Sequence, residues 1–84
     1  MRQSETNLSK TQFTEQHDRL CKLLFKARTK RGLTQIQVAE KLGRPQSFVS
    51  KYETGERRLD VMEFLEVADA LSVDPCRLLK RLLK

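Results

Sequence analysis

Between positions 46 and 51 the chain sets Gln46, Ser47, Ser50 and Lys51 on one side of a short periodic segment, with Val49 and Tyr52 on the other. Amides, hydroxyls and an ammonium group are chemistry for recognition. A glutamine amide carries a donor beside an acceptor, the pattern that pairs with N6 and N7 of adenine in the major groove of DNA. Gln46 is therefore the leading base-reading candidate. Lys51 could donate to guanine, and reads equally well as a phosphate contact or a solvated lysine. Bond-breaking chemistry has no comparable foothold. The single His17 has no serine, cysteine or acid at a catalytic spacing, and neither paired carboxylates nor a phosphate loop occurs, so no enzyme is expected. Cys21 and Cys76 lack zinc-ligand spacing and are both expected as small buried hydrophobes, with no metal or other cofactor.

A recognition surface has to be held at a fixed angle, and the flanking residues supply the helices to do it. Thr34 followed three residues later by Gln37 forms a capping box that opens a helix, whose Val38, Ala39 and Leu42 share one face. Gly43 permits a left-handed turn and Pro45 prevents the helix from continuing. The segment from Gln46 is then a second helix, and the pair forms a unit over about residues 34–53 that presents a helix to DNA. Ahead of it, Thr14 is expected to cap a first helix that ends at Gly32, with Leu20, Leu24 and Ala27 as its stripe. Leu23 and Phe25 lie off that stripe, so they either cover the last helix or sit at a subunit contact.

Beyond the unit, a polar loop at 54–58 leads to Asp60 and Glu63, a second capping box, and to Phe64, Leu65, Ala68 and Leu71 as the buried stripe of a fourth helix. Asp74-Pro75 opens a fifth helix. Its Leu78, Leu79, Leu82 and Leu83 exceed what one small core absorbs, which points to a dimer seam opposite the basic Arg77, Lys80, Arg81 and Lys84. Residues 1–12 are polar and aperiodic and are expected as a flexible arm, leaving 13–84 as one domain.

A chain of 84 residues with 38% apolar composition supports one small core without disulfide or metal help. Its net charge of +6 suits a polyanion-binding protein, although a solvated basic surface shows the same sign. No signal peptide or apolar run of membrane-spanning length is visible, so a cytoplasmic location is expected. RNA is a poor fit, since Phe48 and Tyr52 are the only aromatics near the site that could stack on bases.

The run Leu33-Thr34-Gln35, then Val38 to Gly43, then Gln46 to Glu53 resembles the phage-repressor and Cro type of bacterial helix-turn-helix protein, the XRE family. The likeness extends over about residues 18–83 and implies an all-α, five-helix fold of the phage-repressor kind. It implies that the residues matching Ser47, Ser50 and Lys51 face the groove with Gln46, and that Gln35 meets phosphate and braces Gln46. Arg44, Thr54, Arg57 and Arg58 flank the groove-entering helix as expected phosphate contacts. The resemblance also pairs Arg28 with Glu53, locking the first helix to the recognition helix. Phe48 is unusual on this face, and either presses against a thymine methyl or tucks beneath the 54–58 loop. Pro45 stands where relatives more often place a capping Ser or Thr, and Thr54 where many place Asn.

The expectation is a homodimeric transcription regulator on a palindromic operator, for which stand-alone restriction-modification controllers are the best match in length and layout and Cro-like repressors the next. Glu40 matches an outward acidic position through which some relatives contact RNA polymerase, which leaves activation open. The rival reading is the antitoxin of a toxin-antitoxin pair, which uses the same fold.

Overall fold

The computed structural model describes the backbone from Arg2 and the side chains from Thr14 onward. Five helices follow in order: α1 Arg2–Lys30, α2 Gln35–Leu42, α3 Gln46–Thr54, α4 Val61–Ala70 and α5 Pro75–Leu82. Helix α1 begins well ahead of Thr14, which is therefore not its cap. The side chains of the expected arm, residues 1–12, lie outside the described residues.

Local chemistry accounts for the other helix ends. Thr34 Oγ1 accepts from the Gln37 amide at 3.1 Å while Gln37 Oε1 accepts from the Thr34 amide at 2.8 Å, so both partners of the first capping box are present. Asp60 and Glu63 repeat the arrangement at the head of α4. Gly43 takes the left-handed conformation at φ 67° and closes α2 with amide bonds to Ala39 and Glu40. Asp74 Oδ1 accepts from the Cys76 amide, with Pro75 at the first helical position. Pro45 contributes no side-chain bond at the start of α3, in keeping with its lack of a capping oxygen.

Helices α2 and α3 pack on each other and against α1 and α4, around a core of Leu24, Val38, Ala39, Phe48, Val49, Tyr52, Phe64, Val67, Ala68, Leu71 and Leu78. Three expectations require correction here. Leu65 faces solvent and Val67 takes its place on the inner stripe of α4, because Phe64, Val67, Ala68 and Leu71 follow the helical period and Leu65 falls beside it. Cys21 is buried but Cys76, at the exposed first turn of α5, is not. Leu78 is only 6% exposed in the monomer's own core, which removes it from any dimer seam. Leu79 and Leu83 stay exposed and Leu82 is half-buried. Leu23 packs on the core beside α5, while Phe25 is exposed with the Arg28 guanidinium 5.3 Å from its ring centre.

Candidate DNA interface

At the head of α3 the exposed Gln46 amide belongs to a relay that begins in the interior. Arg28 reaches from α1 to Glu53, with Nε 2.6 Å from Oε2 and Nη2 3.1 Å from Oε1. Both side chains are buried, at 10% and 5% exposure, and Arg28 Nη1 also donates to the Leu33 carbonyl at 2.8 Å. The carboxylate raises the guanidinium's affinity for its proton. Gln35 Nε2 then donates to Glu53 Oε1 at 2.9 Å, and Gln46 Nε2 donates to Gln35 Oε1 at 3.2 Å. Direction is fixed along this chain by charge: an ionised carboxylate only accepts, so Gln35 turns its NH2 toward Glu53 and its oxygen toward Gln46. Gln46 must answer with an N–H, leaving its own oxygen and second N–H for an outside partner.

Ser47 and Lys51 are exposed beside Gln46, and Ser50 is half-buried. The four residues therefore share one polar face, as their spacing predicted. Val49 and Tyr52 lie beneath them in the core. Tyr52 Oη is buried with no hydrogen-bond partner, and burial together with the Glu53 charge pushes its phenol well above the usual range.

Phe48 settles its alternatives by packing inward, at 8% exposure, edge-on to Tyr52 with ring centres 5.6 Å apart. Arg44 and Arg57 lie over it, their guanidinium carbons 4.4 and 4.9 Å from the ring centre. Glu63 binds both: Arg57 donates through Nη1 and Nη2 at 2.9 and 2.8 Å, and Arg44 through Nη1 at 3.4 Å. Glu66 approaches Arg44 at 3.6 Å. Hydrogen bonds from Arg57 first, and from the Asp60 amide second, hold the Glu63 carboxyl at about 2, against an ordinary 4.5. Arg44 and Arg57 thus stand beside α3 as expected, but already matched to a carboxylate. Sequence reasoning identified Glu63 as a cap and missed this second role, since Arg57 lies in the loop before α4 and its six-residue separation from Glu63 implies no contact.

The remaining phosphate candidates divide. Arg58 is exposed and has no side-chain ion pair among the described residues. Thr54 donates its hydroxyl to the Lys51 carbonyl at 3.2 Å, within α3 itself. Gln35 keeps its bracing role inside the relay. At the far end of α3, Gly55 closes the helix at φ 87°, and His17 of α1 donates from Nε2 to its carbonyl at 3.1 Å. Cys21 lies one turn along, Sγ 4.0 Å from the same nitrogen, and burial pushes its thiol up. The recognition helix is therefore tied to α1 at two levels, by His17 and by Arg28.

Comparison with known proteins identifies the fold. A family model described as helix-turn-helix matches residues 24–78. The solved structure of an XRE-family like protein from Pseudomonas syringae pv. tomato str. DC3000 is 47% identical, with a TM-score of 0.87 over 90% of this chain and 93% of that one. The restriction-modification controller protein C.AhdI from Aeromonas hydrophila is 29% identical, with a TM-score of 0.69 over 77% of this chain and 97% of that one. No curated protein matches the chain. Among the described residues no helix is long and apolar enough to cross a membrane.

Proposed function

The chain belongs to the XRE-type helix-turn-helix family of DNA-binding transcription regulators, and from that premise we propose that it acts as a homodimer on a palindromic operator, as the controller of a restriction-modification operon. Helix α3 enters the major groove with Gln46 leading. The outward oxygen and N–H of Gln46 accept from adenine N6 and donate to N7, and Ser47, Ser50 and Lys51 meet the neighbouring bases. Arg58 contacts phosphate directly, Thr54 and the N-terminal end of α2 at Gln35 contribute further, and Arg44 and Arg57 exchange part of their hold on Glu63 for phosphate oxygen.

The observation that carries this reading is the relay from Arg28 through Glu53 and Gln35 to Gln46, which fixes the hydrogen-bonding sense of an exposed amide from a buried charge pair. A side chain needed only for solubility gains nothing from such bracing. The near-complete coverage of the C.AhdI chain supports the controller role in particular. Two half-sites need two domains, and the exposed Leu79 and Leu83 with half-buried Leu82 are the seam that joins them.

Footprinting the purified protein on the DNA upstream of its own gene tests the proposal. A protected pair of inverted half-sites is expected, with centres about one helical turn apart. Analytical ultracentrifugation of Leu82→Glu and Leu83→Glu tests the seam: both should be folded monomers with much weaker operator binding, because the second half-site is no longer tethered. Uniform protection without symmetry would overturn the operator reading, and variants that stay dimeric would move the seam elsewhere.

A further inference from the structure

The net excess of positive charge in this chain lies apart from the recognition helix. A groove of about 1070 Å³ runs between α1 and α5, walled on one side by Lys26, Lys30 and Arg31 and on the other by Arg77, Lys80, Arg81 and Lys84. Seven of the seventeen lysines and arginines line it against one of the eleven carboxylates, Asp74, so the groove accounts for the whole formal excess of six. The remaining residues carry ten charges of each sign. Asp74 is itself engaged as the cap of α5.

The groove looks away from the recognition helix. Along α1, His17, Cys21 and Arg28 meet α3 and its closing glycine. Leu23 and Lys30 stand two positions after Cys21 and Arg28, which turns them by about 200° around the helix. On α5 the basic residues likewise face away from Leu79, Leu82 and Leu83, none of which lines the groove. Dimerisation through those leucines therefore leaves it open.

We propose that this groove docks an acidic amphipathic helix of a partner protein while the recognition helix holds DNA. Its floor decides the chemistry of the occupant. The half-buried Leu23, Ala27 and Val73, with only the edge of the core residue Leu78 beneath them, form an apolar strip between the two basic walls. A phosphate backbone has no apolar side to lay on such a strip, whereas an amphipathic helix seats its hydrophobic stripe there and its carboxylates between the cations. The operator's own duplex does not reach the site, since DNA is stiff over about 150 base pairs and would have to fold back around a single small domain. A second copy of this chain docking groove to groove would be repelled by the like charge.

The test uses the whole protein and a fluorescent synthetic peptide of about three helical turns, with leucines at three- and four-residue spacing and glutamates elsewhere. A scrambled peptide of identical composition and a short random duplex serve as comparisons. The amphipathic peptide should bind roughly tenfold more tightly than the scrambled one, and Lys26→Glu/Lys80→Glu should abolish that preference while leaving operator affinity within about twofold. The pair Lys30→Glu/Arg81→Glu, with a melting curve for each variant, separates loss of the site from loss of fold. Equal binding of both peptides would reduce the groove to an unspecific positive surface and overturn the proposal. A fall in operator or duplex affinity parallel to that for the peptide would overturn it in favour of a second DNA surface.

Discussion

Two glutamates flank the recognition helix and each binds arginine, yet they do different work. Glu53 lies inside, at 5% exposure, with its charge matched by one buried arginine and its second function passed on through Gln35. Glu63 lies at the rim, gathers two arginines that are each more than one-third exposed, and caps its own helix with the same carboxylate. The inner pair is shielded from water and salt, so it fixes geometry. The outer cluster is in contact with solvent, where ion pairs are weakened by screening and exchange partners readily. The helix is thus aimed by a rigid pair and edged by cations that, in the proposed complex, exchange carboxylate for phosphate.

The largest way to break this contrast is Glu53→Ala or Arg28→Ala, each of which leaves an unmatched charge in the interior and should cost about 3–5 kcal/mol in denaturant melts. The double variant should lose less than the sum. Additive losses would make the pair an incidental contact. Next, Gln46→Ala should cost about 1–3 kcal/mol on the operator with little change on scrambled DNA, because it removes base reading and no phosphate contact.

The outer cluster should show itself through pH and salt. With its carboxyl held at about 2, Glu63 adds stability that is complete above its ordinary 4.5 and lost as pH falls from there toward 2. Melting temperatures across that window should drop in the native protein and stay flatter in Glu63→Gln. Arg58→Ala should reduce the salt slope of DNA binding by about one, and Arg57→Ala by less, since Glu63 already serves as the counterion of Arg57. Equal slopes would show that Arg57 leaves Glu63 completely on DNA. The smallest effect belongs to Tyr52→Phe, which removes an unpartnered buried hydroxyl and should be neutral or stabilising by about 1 kcal/mol.

Much of this was legible where the signal was local. Both capping boxes, the left-handed Gly43 and the Asp74-Pro75 start depend on residues within one helical turn, so the sequence states them directly. The link between Arg28 and Glu53 spans 25 positions and was visible only through family resemblance. The Glu63 cluster was missed because it depends on how the 54–58 loop turns α4 back toward Phe48, an angle that no periodicity encodes. Helix α4 also ends without a glycine: Ser72 takes the left-handed conformation at φ 57°, stitched to the turn after α1 by Arg31 donating to its carbonyl at 2.6 Å. Leu78 and Leu83 look alike in sequence, and packing alone separates one at 6% exposure from the other at 73%.

Tyr52 also gives the molecule an optical label of its own. The chain has no tryptophan and one tyrosine, so near-ultraviolet emission and dichroism above the phenylalanine bands come from a single ring. That ring is packed against Phe48 on α3, the helix proposed to enter the groove, one residue before Glu53. A shift in tilt or packing of α3 on operator binding will therefore register in the unmodified protein as a change at one known position, with no other aromatic signal to subtract.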